Sequence, residues 1–456
     1  MTDTIAAIAT GVEVAAIGIV RVSGPLAIAV ADKAFRAMGG ARMKDTADRQ
    51  MHYGEFRGKS GGLLDICMCM VSRAPNSYTG EDTAEFHCHG SPVVLTEVLG
   101  ELFARGVRQA LPGEFTKRAF LNGRMDLTQA EAVIDLIESE TPGAAKNAAG
   151  QLSGTVAKRL APVYDALVDI MAHFHAVIDY PDEDIDDFKM NHYLVGLRGA
   201  EEELTRMLET HESGKIMRSG VPTAIIGRPN TGKSSLLNAL VGYDRAIVTD
   251  IPGTTRDTIE EKVIVGGRLL RIIDTAGLRK TDDVVENLGI GRTRDAISGA
   301  GLVILVIDGS QPLCDEDREA FFAVPVGVPY IAAVNKCDLP SAVGNGQLQA
   351  MGLNFFRISA VTEEGLAELR NEIKTLLPKV AADPHGEIIT NARQADAILR
   401  ARTAIGQSIT AIEESVTPDA VLMEVESALA AIGEVTGSVM REDIVGRIFE
   451  RFCVGK

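Results

Sequence analysis

The sequence has no CxxC pair, no apolar run approaching the roughly 18 residues of a membrane span, no Lys or Arg before Arg21, and no surplus of positive charge. Each absence excludes something. Six Cys without regular spacing in 456 residues do not make a disulfide framework, so a reducing compartment is expected. A signal peptide needs a basic start and an unbroken apolar run, whereas the stretch before Arg21 carries Asp3 and Glu13 and no cation. With neither signal nor span, a cytoplasmic location is expected. The net charge is −17. Lys and Arg drive non-specific nucleic-acid binding, so an RNA partner would need a local patch or a second protein. One modest patch stands out in the sequence: Arg105, Arg108, Lys117, Arg118 and Arg124. No short-period repeat or low-complexity segment occurs.

What is present is an ordinary globular mix, 46% hydrophobic and 24% charged, long enough for about two to four domains. Residues 1–121 read as α+β, with strand-like alternation in Gly18–Val22 and Leu63–Val71. Cys67 and Cys69, two apart on such a strand, share a face. From about Asp126 the period changes. Val156, Leu160, Val163, Leu167, Ile170, Met171, Phe174 and Val177 recur at three and four residues, which predicts one face of a long helix. Ile398, Ile405, Ile409 and Ile412 predict a second such face, and Val421, Val425, Leu429 and Ile432 a third. Between these helical blocks, β-branched runs alternate with helices: Thr223–Gly227, Lys262–Val265, Leu269–Asp274, Leu302–Asp308, Tyr330–Lys336 and Phe355–Ala360. That alternation predicts a sheet covered on both faces, with Gly266–Gly267 as a hairpin turn at one antiparallel edge. The expected organisation is a multidomain α/β chain: an N-terminal α+β domain (1–121), a discontinuous α-helical domain (122–217 and 380–456), and an inserted P-loop, Ras-like G domain (218–379).

Gly227-Arg-Pro-Asn230-Thr231-Gly232-Lys233-Ser234 fits GxxxxGK[ST] after a strand and before a helix. Glycines let backbone N–H groups encircle phosphates, the helix N-terminus adds a positive dipole end, Lys233 reaches the β- and γ-phosphates, and Ser234 ligates Mg²⁺. Asp274-Thr275-Ala276-Gly277 ends another strand. Asp there holds Mg²⁺, usually through water, and Gly277 lets its amide meet the γ-phosphate. Asn335-Lys336-Cys-Asp338 matches NKxD. Its carboxylate accepts from the two donors of guanine, which adenine lacks, so a buried Asp338 would be left unpaired by the wrong base. Ser359-Ala360 follows the last strand and offers a backbone amide to the guanine carbonyl. Four motifs in order, each at a strand end, together indicate a GTPase, because ligands bind at the carboxyl ends of such sheets. Leu278 stands where Ras-type GTPases use Gln to orient water, and no Arg is obviously poised in cis as a finger, so the catalytic aid must come from elsewhere.

Thr249-Asp250-Ile251-Pro252-Gly253-Thr254-Thr255-Arg-Asp, with GRPNTGKSS (Ser234-Ser235) and DTAGLR, resembles the TrmE-Era-EngA-type translation GTPases. The closing Arg447-Ile-Phe-Glu-Arg-Phe-Cys453-Val-Gly-Lys456 closely resembles the terminus of the MnmE (TrmE) family of tRNA-modification GTPases. Gly18-Ile-Val-Arg21-Val-Ser-Gly24, Ser77-Tyr-Thr-Gly-Glu-Asp82, His89-Gly90 and Pro112-Gly-Glu-Phe115 look like that family's N-terminal domain. The resemblance covers essentially the full length. It implies a homodimer formed through a folate-binding N-terminal domain. It implies a heterotetramer with the flavoprotein MnmG (GidA), acting on tRNA and on neither DNA nor membrane. The family modifies carbon 5 of the wobble uridine with a one-carbon unit from a tetrahydrofolate derivative, in its 5-formyl or 5,10-methylene form. GTP hydrolysis drives the G domains, and K⁺ completes their active site. Carried over by motif, GTP contacts fall on Asn230 to Ser235, Thr249 to Thr255, Asp274 to Gly277, Asn335, Lys336, Asp338, Ser359 and Ala360. K⁺ would be held by Asn230, Thr249, Ile251 and Thr254, and Mg²⁺ by Ser234 and Thr255. The resemblance makes Glu286 the water-positioning residue, working with Lys233 and Gly277. Folate contacts fall on Arg21, Glu85, Arg124 and Lys456. The family usually has Lys where Arg124 stands, and a planar fork is not a point charge.

Blander readings stand beside these. Glu286, near Asp282 and Asp283, is by pattern alone a solvated charge run. Asn230 by sequence alone is loop filler. Cys453 reads as a small buried hydrophobe, with a thiol role as the sharper reading. His87-Cys88-His89 does not read as zinc, because on a strand Cys88 points away from both His and no fourth ligand is near. A structural or folate-pocket role fits it better. The alternative for the whole chain is a ribosome-assembly switch of Era or EngA type. Those relatives carry a KH-type GxxG module or two tandem G domains. This sequence has one G domain and no such module after it.

Overall fold

The structure is a computed structural model that describes residues 3–179, 187–243, 261–273, 297, 299–377, 384–439, 448–450, 452 and 454–455. Contacts divide the chain into two compact units, 1–134 with 156–198 and 403–456, and 135–155 with 199–402.

The first unit is built on a seven-stranded sheet. Its strands are β1 (Ile5–Ile8), β2 (Ala15–Ser23), β3 (Phe35–Ala37), β4 (His52–Arg57), β5 (Leu63–Ser72), β6 (Thr83–Gly90) and β7 (Arg108–Gln109), in the order β3-β4-β5-β6-β2-β1-β7. All neighbours are antiparallel except β1 and β7. Alternation along β2, β5 and β6 turns Val20, Val22, Cys67, Cys69, Val71, Ala84, Phe86 and Cys88 inward. There they pack with Val30, Ala34, Leu95, Val98 and Leu102 of helices Ala27–Ala34 and Pro92–Phe103. The unit also takes most of the long helix Thr155–Asp179. Val156, Leu160, Val163, Leu167, Ile170 and Phe174 of that helix are each at most 4% exposed. Met171, expected on the same face, is only half-buried, and the side chain of Val177 lies outside the description.

The second unit carries a six-stranded sheet of β8 (Val221–Ile226), β9 (Glu261–Val265), β10 (Arg268–Ile273), β11 (Leu302–Asp308), β12 (Tyr330–Asn335) and β13 (Phe355–Arg357), ordered β13-β12-β11-β8-β10-β9. Only β9 runs antiparallel, paired with β10 through the Gly266–Gly267 turn. Separate apolar clusters cover its two faces, which explains why β11 is buried at every position. The last strand stops at Arg357 and not at Ala360, because the Ser359 amide bonds the Glu364 carbonyl and the Ala360 amide bonds the Asn335 side chain. Ladder pairing has no claim on them.

The other expected helical faces fall in Ala392–Glu413 and Pro418–Thr436. In them Ile398, Ile405, Ile409, Ile412, Val421, Val425, Leu429 and Ile432 are all buried.

Three of the five cations in the basic patch expected from sequence are taken up by carboxylates, while Arg124 stays exposed. Arg118 has no side-chain exposure and sits among Asp3, Glu81 and Glu114 at 2.9–3.0 Å. Arg108 pairs with Asp3 at 2.6 Å and Glu114 at 2.7 Å, and Arg105 with Glu101 at 2.6 Å. These guanidinium charges are spent on carboxylates that close the N-terminal unit, and an RNA backbone would have to displace them.

Candidate functional site

The described nucleotide motifs, the phosphate loop, Asn335–Asp338 and Ser359-Ala360, meet at the carboxyl ends of β8 and β12. Asn335, the last residue of β12, is 3% exposed. Its Nδ2 donates to the Thr231 carbonyl at 2.9 Å and its Oδ1 accepts from the Ala360 amide at 3.0 Å. One buried amide therefore joins the phosphate loop, the NKxD segment and the Ser359-Ala360 turn. The approach is so close that a Cβ on Gly232 would lie 2.2 Å from Asn335 Nδ2, so any other residue there would push the two segments apart. Thr231 is itself fully buried, its hydroxyl donating to the Arg228 carbonyl at 3.0 Å.

Lys336 adds a second tie. Its Nζ donates to the Asn230 carbonyl at 2.9 Å and to Asp308 Oδ2 at 2.7 Å. Burial alone would raise the Asp308 carboxyl, but bonds from Lys336 and Ser310 outweigh it and hold the group below its ordinary range. Lys233 Nζ lies over the loop, donating to the Gly227 and Arg228 carbonyls at 2.8 Å each. A phosphate entering the loop would compete with those carbonyls for the ammonium. Ser234 and Ser235 open the helix Lys233–Tyr243, the first half-buried and the second exposed. Arg228 points elsewhere: its Nε lies 3.3 Å from Asp317, which caps the helix Asp315–Phe322 by accepting from the Cys314 amide. Asp338 is exposed, where the sequence reading had it buried. The desolvation that would discriminate bases is the one a bound base imposes. Both amides of Ser359-Ala360 have internal partners in this conformation.

Thr249 to Thr255, Asp274 to Gly277, Leu278, Glu286, Cys453 and Lys456 lie outside the described residues. Asp308, Arg228 and Asp317 were missed by motif reasoning. The only signal for Asp308 was its position as the polar end of an apolar strand.

The expected folate positions lie in the first unit. Arg21 on β2 and Glu85 on β6 are register partners, joined Nε to Oε1 at 2.8 Å. The Arg21 guanidinium lies 5.4 Å from the Tyr78 ring centroid and 5.7 Å from that of Phe115. His87 Nε2 is 3.5 Å from Glu85. Burial raises the Tyr78 phenol, whose oxygen is 2.9 Å from the Thr116 hydroxyl. Arg124 is exposed, with its stem over Gly80, two residues from Tyr78. The closing segment comes to the same region: Val454 bridges Pro112, and a Cβ on Gly455 would meet the Ile8 carbonyl at 2.2 Å. Ile8 pairs with Val20, the residue before Arg21.

No helix among the described residues is long and apolar enough to cross a membrane. Residues 127–453 match the model of the MnmE helical domain and residues 4–124 that of the GTP-binding protein TrmE N-terminus. The chain is 40% identical over 458 residues to the tRNA modification GTPase MnmE of Thermoanaerobacter pseudethanolicus, covering 100% of this chain and 99% of that protein. It is 39% identical to the protein of that name from Clostridioides difficile and 41% to that from Geobacillus kaustophilus, at the same coverage. Among solved structures, the G domain of the T. maritima FeoB iron transporter is 28% identical, over 34% of this chain and 96% of that one, with a TM-score of 0.26.

Proposed function

The chain belongs to the MnmE family of tRNA modification GTPases, and we propose that it is the K⁺-activated member of a two-protein system. With a flavoprotein of MnmG type, it modifies carbon 5 of the wobble uridine using a tetrahydrofolate one-carbon unit. The observation that carries the GTPase half of this reading is the Asn335 bridge between the phosphate loop and the guanine-reading segment.

The residues present suit the groups this chemistry needs. Asn230 is exposed at the rim of the phosphate loop with φ +62, and offers an oxygen, the donor a hard monovalent cation takes. Ser234 stands at the helix start where a P-loop hydroxyl meets Mg²⁺. In the mechanism we infer, Lys233 leaves the Gly227 and Arg228 carbonyls for the phosphates. Asp338 accepts from the donors of guanine, and Glu286 orients the attacking water. Asn230 would help hold a monovalent cation, which would supply positive charge of the kind an arginine finger brings, worth about 10³–10⁵ in rate. Leu278 cannot orient water and Arg228 is engaged by Asp317, which supports a cation in that role.

In the first unit, the stacked Arg21–Glu85 pair presents a cation for a folate carboxylate and an acceptor for the donor edge of a pterin. The unit would also carry the homodimer contact. A cytoplasmic location follows from the tRNA substrate.

Two measurements test the reading. GTP turnover compared at equal KCl and NaCl should show strong activation by K⁺, and equal rates would refute the cation role. Nucleoside analysis of tRNA from cells lacking the protein should show loss of the wobble-uridine modification, and modification retained there at the parent strain's level would refute the process.

A further inference from the structure

Three of the six cysteines stand on two adjacent strands of the seven-stranded sheet. Cys67 and Cys69 on β5 and Cys88 on β6 are each at most 4% exposed. Strand alternation turns Cys88 away from His87 and His89, as the sequence implied, but it turns Cys88 towards β5. The sulfurs of Cys67 and Cys88 and a carboxylate oxygen of Asp65 all lie within 4.8 Å of one another. The Asp65 side chain is only 8% exposed. His89 holds it from outside, with Nδ1 2.7 Å from Oδ1 and the backbone N–H donating to Oδ2 at 2.9 Å. No Lys or Arg ion pair reaches Asp65 among the described residues.

The Ile66 amide also donates to Asp65 Oδ1 at 2.8 Å, so both oxygens of the carboxylate are held in place beside the two thiols. Two sulfurs and one oxygen form the donor set of a borderline-soft divalent ion. Tetrahedral coordination at Zn–S of about 2.3 Å and Zn–O of about 2.0–2.2 Å sets such atoms roughly 3.5–3.8 Å apart, so closure needs only small side-chain movements. A ligating carboxylate is commonly steadied by an outer hydrogen bond, the position His89 occupies.

We propose that Asp65, Cys67 and Cys88 bind one zinc-class divalent cation, with the fourth position open to water and His89 orienting the Asp65 carboxylate. Binding releases the two thiol protons to solvent and involves no change of oxidation state. The ion would pin β5 to β6 behind the face that carries Glu85 and His87. It is independent of the nucleotide site and of the folate reading.

The test uses the full-length chain, treated with chelator, dialysed, and titrated with Cd²⁺ while the ultraviolet thiolate-to-cadmium charge-transfer band is followed. Zn²⁺ serves as competitor. The band should saturate at one ion per chain and be lost on adding Zn²⁺. It should vanish in Cys67→Ser and in Cys88→Ser, and persist in Cys69→Ser. Asp65→Asn keeps both thiols and nearly the same shape, and should weaken the ion at least about tenfold. Zn²⁺ should raise the melting temperature of the wild type and not of the two serine variants. Absence of the band in a wild-type protein that still hydrolyses GTP would overturn the proposal. So would a band surviving in the Cys67→Ser/Cys88→Ser double variant, or unchanged affinity in Asp65→Asn.

Discussion

The Asn335 side-chain amide meets the Thr231 carbonyl at 2.9 Å across 104 residues of sequence, and the same side chain accepts from the Ala360 amide. Truncating it would leave a buried carbonyl and a part-buried N–H without partners. Each such group costs about 1–3 kcal/mol. With two such groups, Asn335→Ala should therefore lower the stability of the G domain by about 2–6 kcal/mol and weaken GTP and GDP alike. Chemical denaturation and nucleotide titration of the variant check both. Wild-type values in either would mean that the bridge does not hold the site together.

Asp308 gives the site a pH signature. Lys336 and Ser310 hold its carboxyl below the ordinary range despite burial. Near neutral pH the group is ionised in folded and unfolded chains, and the pair with Lys336 contributes fully. As pH falls below the unfolded value of about 3.9, the unfolded chain takes up the proton first, so this stability declines until the folded value is passed. Asp308→Asn should be less stable than wild type near neutral pH, and the two should converge in acid. Melting temperatures across a pH series show it, and parallel curves would assign the acid sensitivity to other carboxylates.

Much of this architecture was legible in the sequence because it follows local rules. The period of Val156 to Phe174, the β-branched runs and the Gly266–Gly267 turn each place an element with no long-range information. The phosphate loop and NKxD were legible because backbone approach and base recognition permit few residue types. What failed was pairing over distance. Arg105 pairs with Glu101 and Arg118 with Glu114 at i,i+4, partners already in the sequence, but Asp3, which also takes Arg108 and Arg118, lies 115 residues from Arg118 and only the fold brings it there. The Asp308–Lys336–Asn230 chain was equally invisible, since each residue has a sufficient local reason to be polar.

Glu140 makes a prediction about transmission within the second unit. Its Oε1 is 2.9 Å from Lys262 Nζ and 3.5 Å from Arg271 Nη2, and these two cations face each other across β9 and β10. β10 ends at the residue before Asp274, so the triad grips the hairpin that leads into a nucleotide motif. All three side chains are 26–35% exposed, so the pairs are worth no more than about 1 kcal/mol to stability. Glu140→Gln should barely change the melting temperature. It should reduce the difference that GTP makes to hydrogen exchange in residues 135–141. A nucleotide response equal to that of wild type would show that the triad carries no signal.

The closing segment offers the sharpest separation of roles. Termini fray unless something docks them, and here Phe449 and Phe452 are 1% and 5% exposed, packed with Leu127 and Ala130. Beyond them Val454 bridges Pro112. Gly455 has φ +101, and a Cβ there would fall 2.2 Å from the Ile8 carbonyl. The backbone is thus led past the strand next to Arg21 by a residue that must be glycine. If that path exists to deliver Lys456 to a folate, deleting residues 453–456 should abolish wobble-uridine modification while the phenylalanines keep the helices sealed. GTP affinity and basal turnover should then stay near wild type. Gly455→Ala, which keeps every side chain but strains the path, should weaken 5-formyltetrahydrofolate at least about tenfold, or 1.4 kcal/mol. Melting temperature, GTP turnover, folate binding and tRNA modification, measured on the same two proteins, decide between the readings. Melting temperature and turnover falling together would make the segment a mere seal for the helices. Normal folate binding in both variants would remove it from the pocket, and Cys453→Ser, which spares the backbone, would show whether the thiol has any part in the modification.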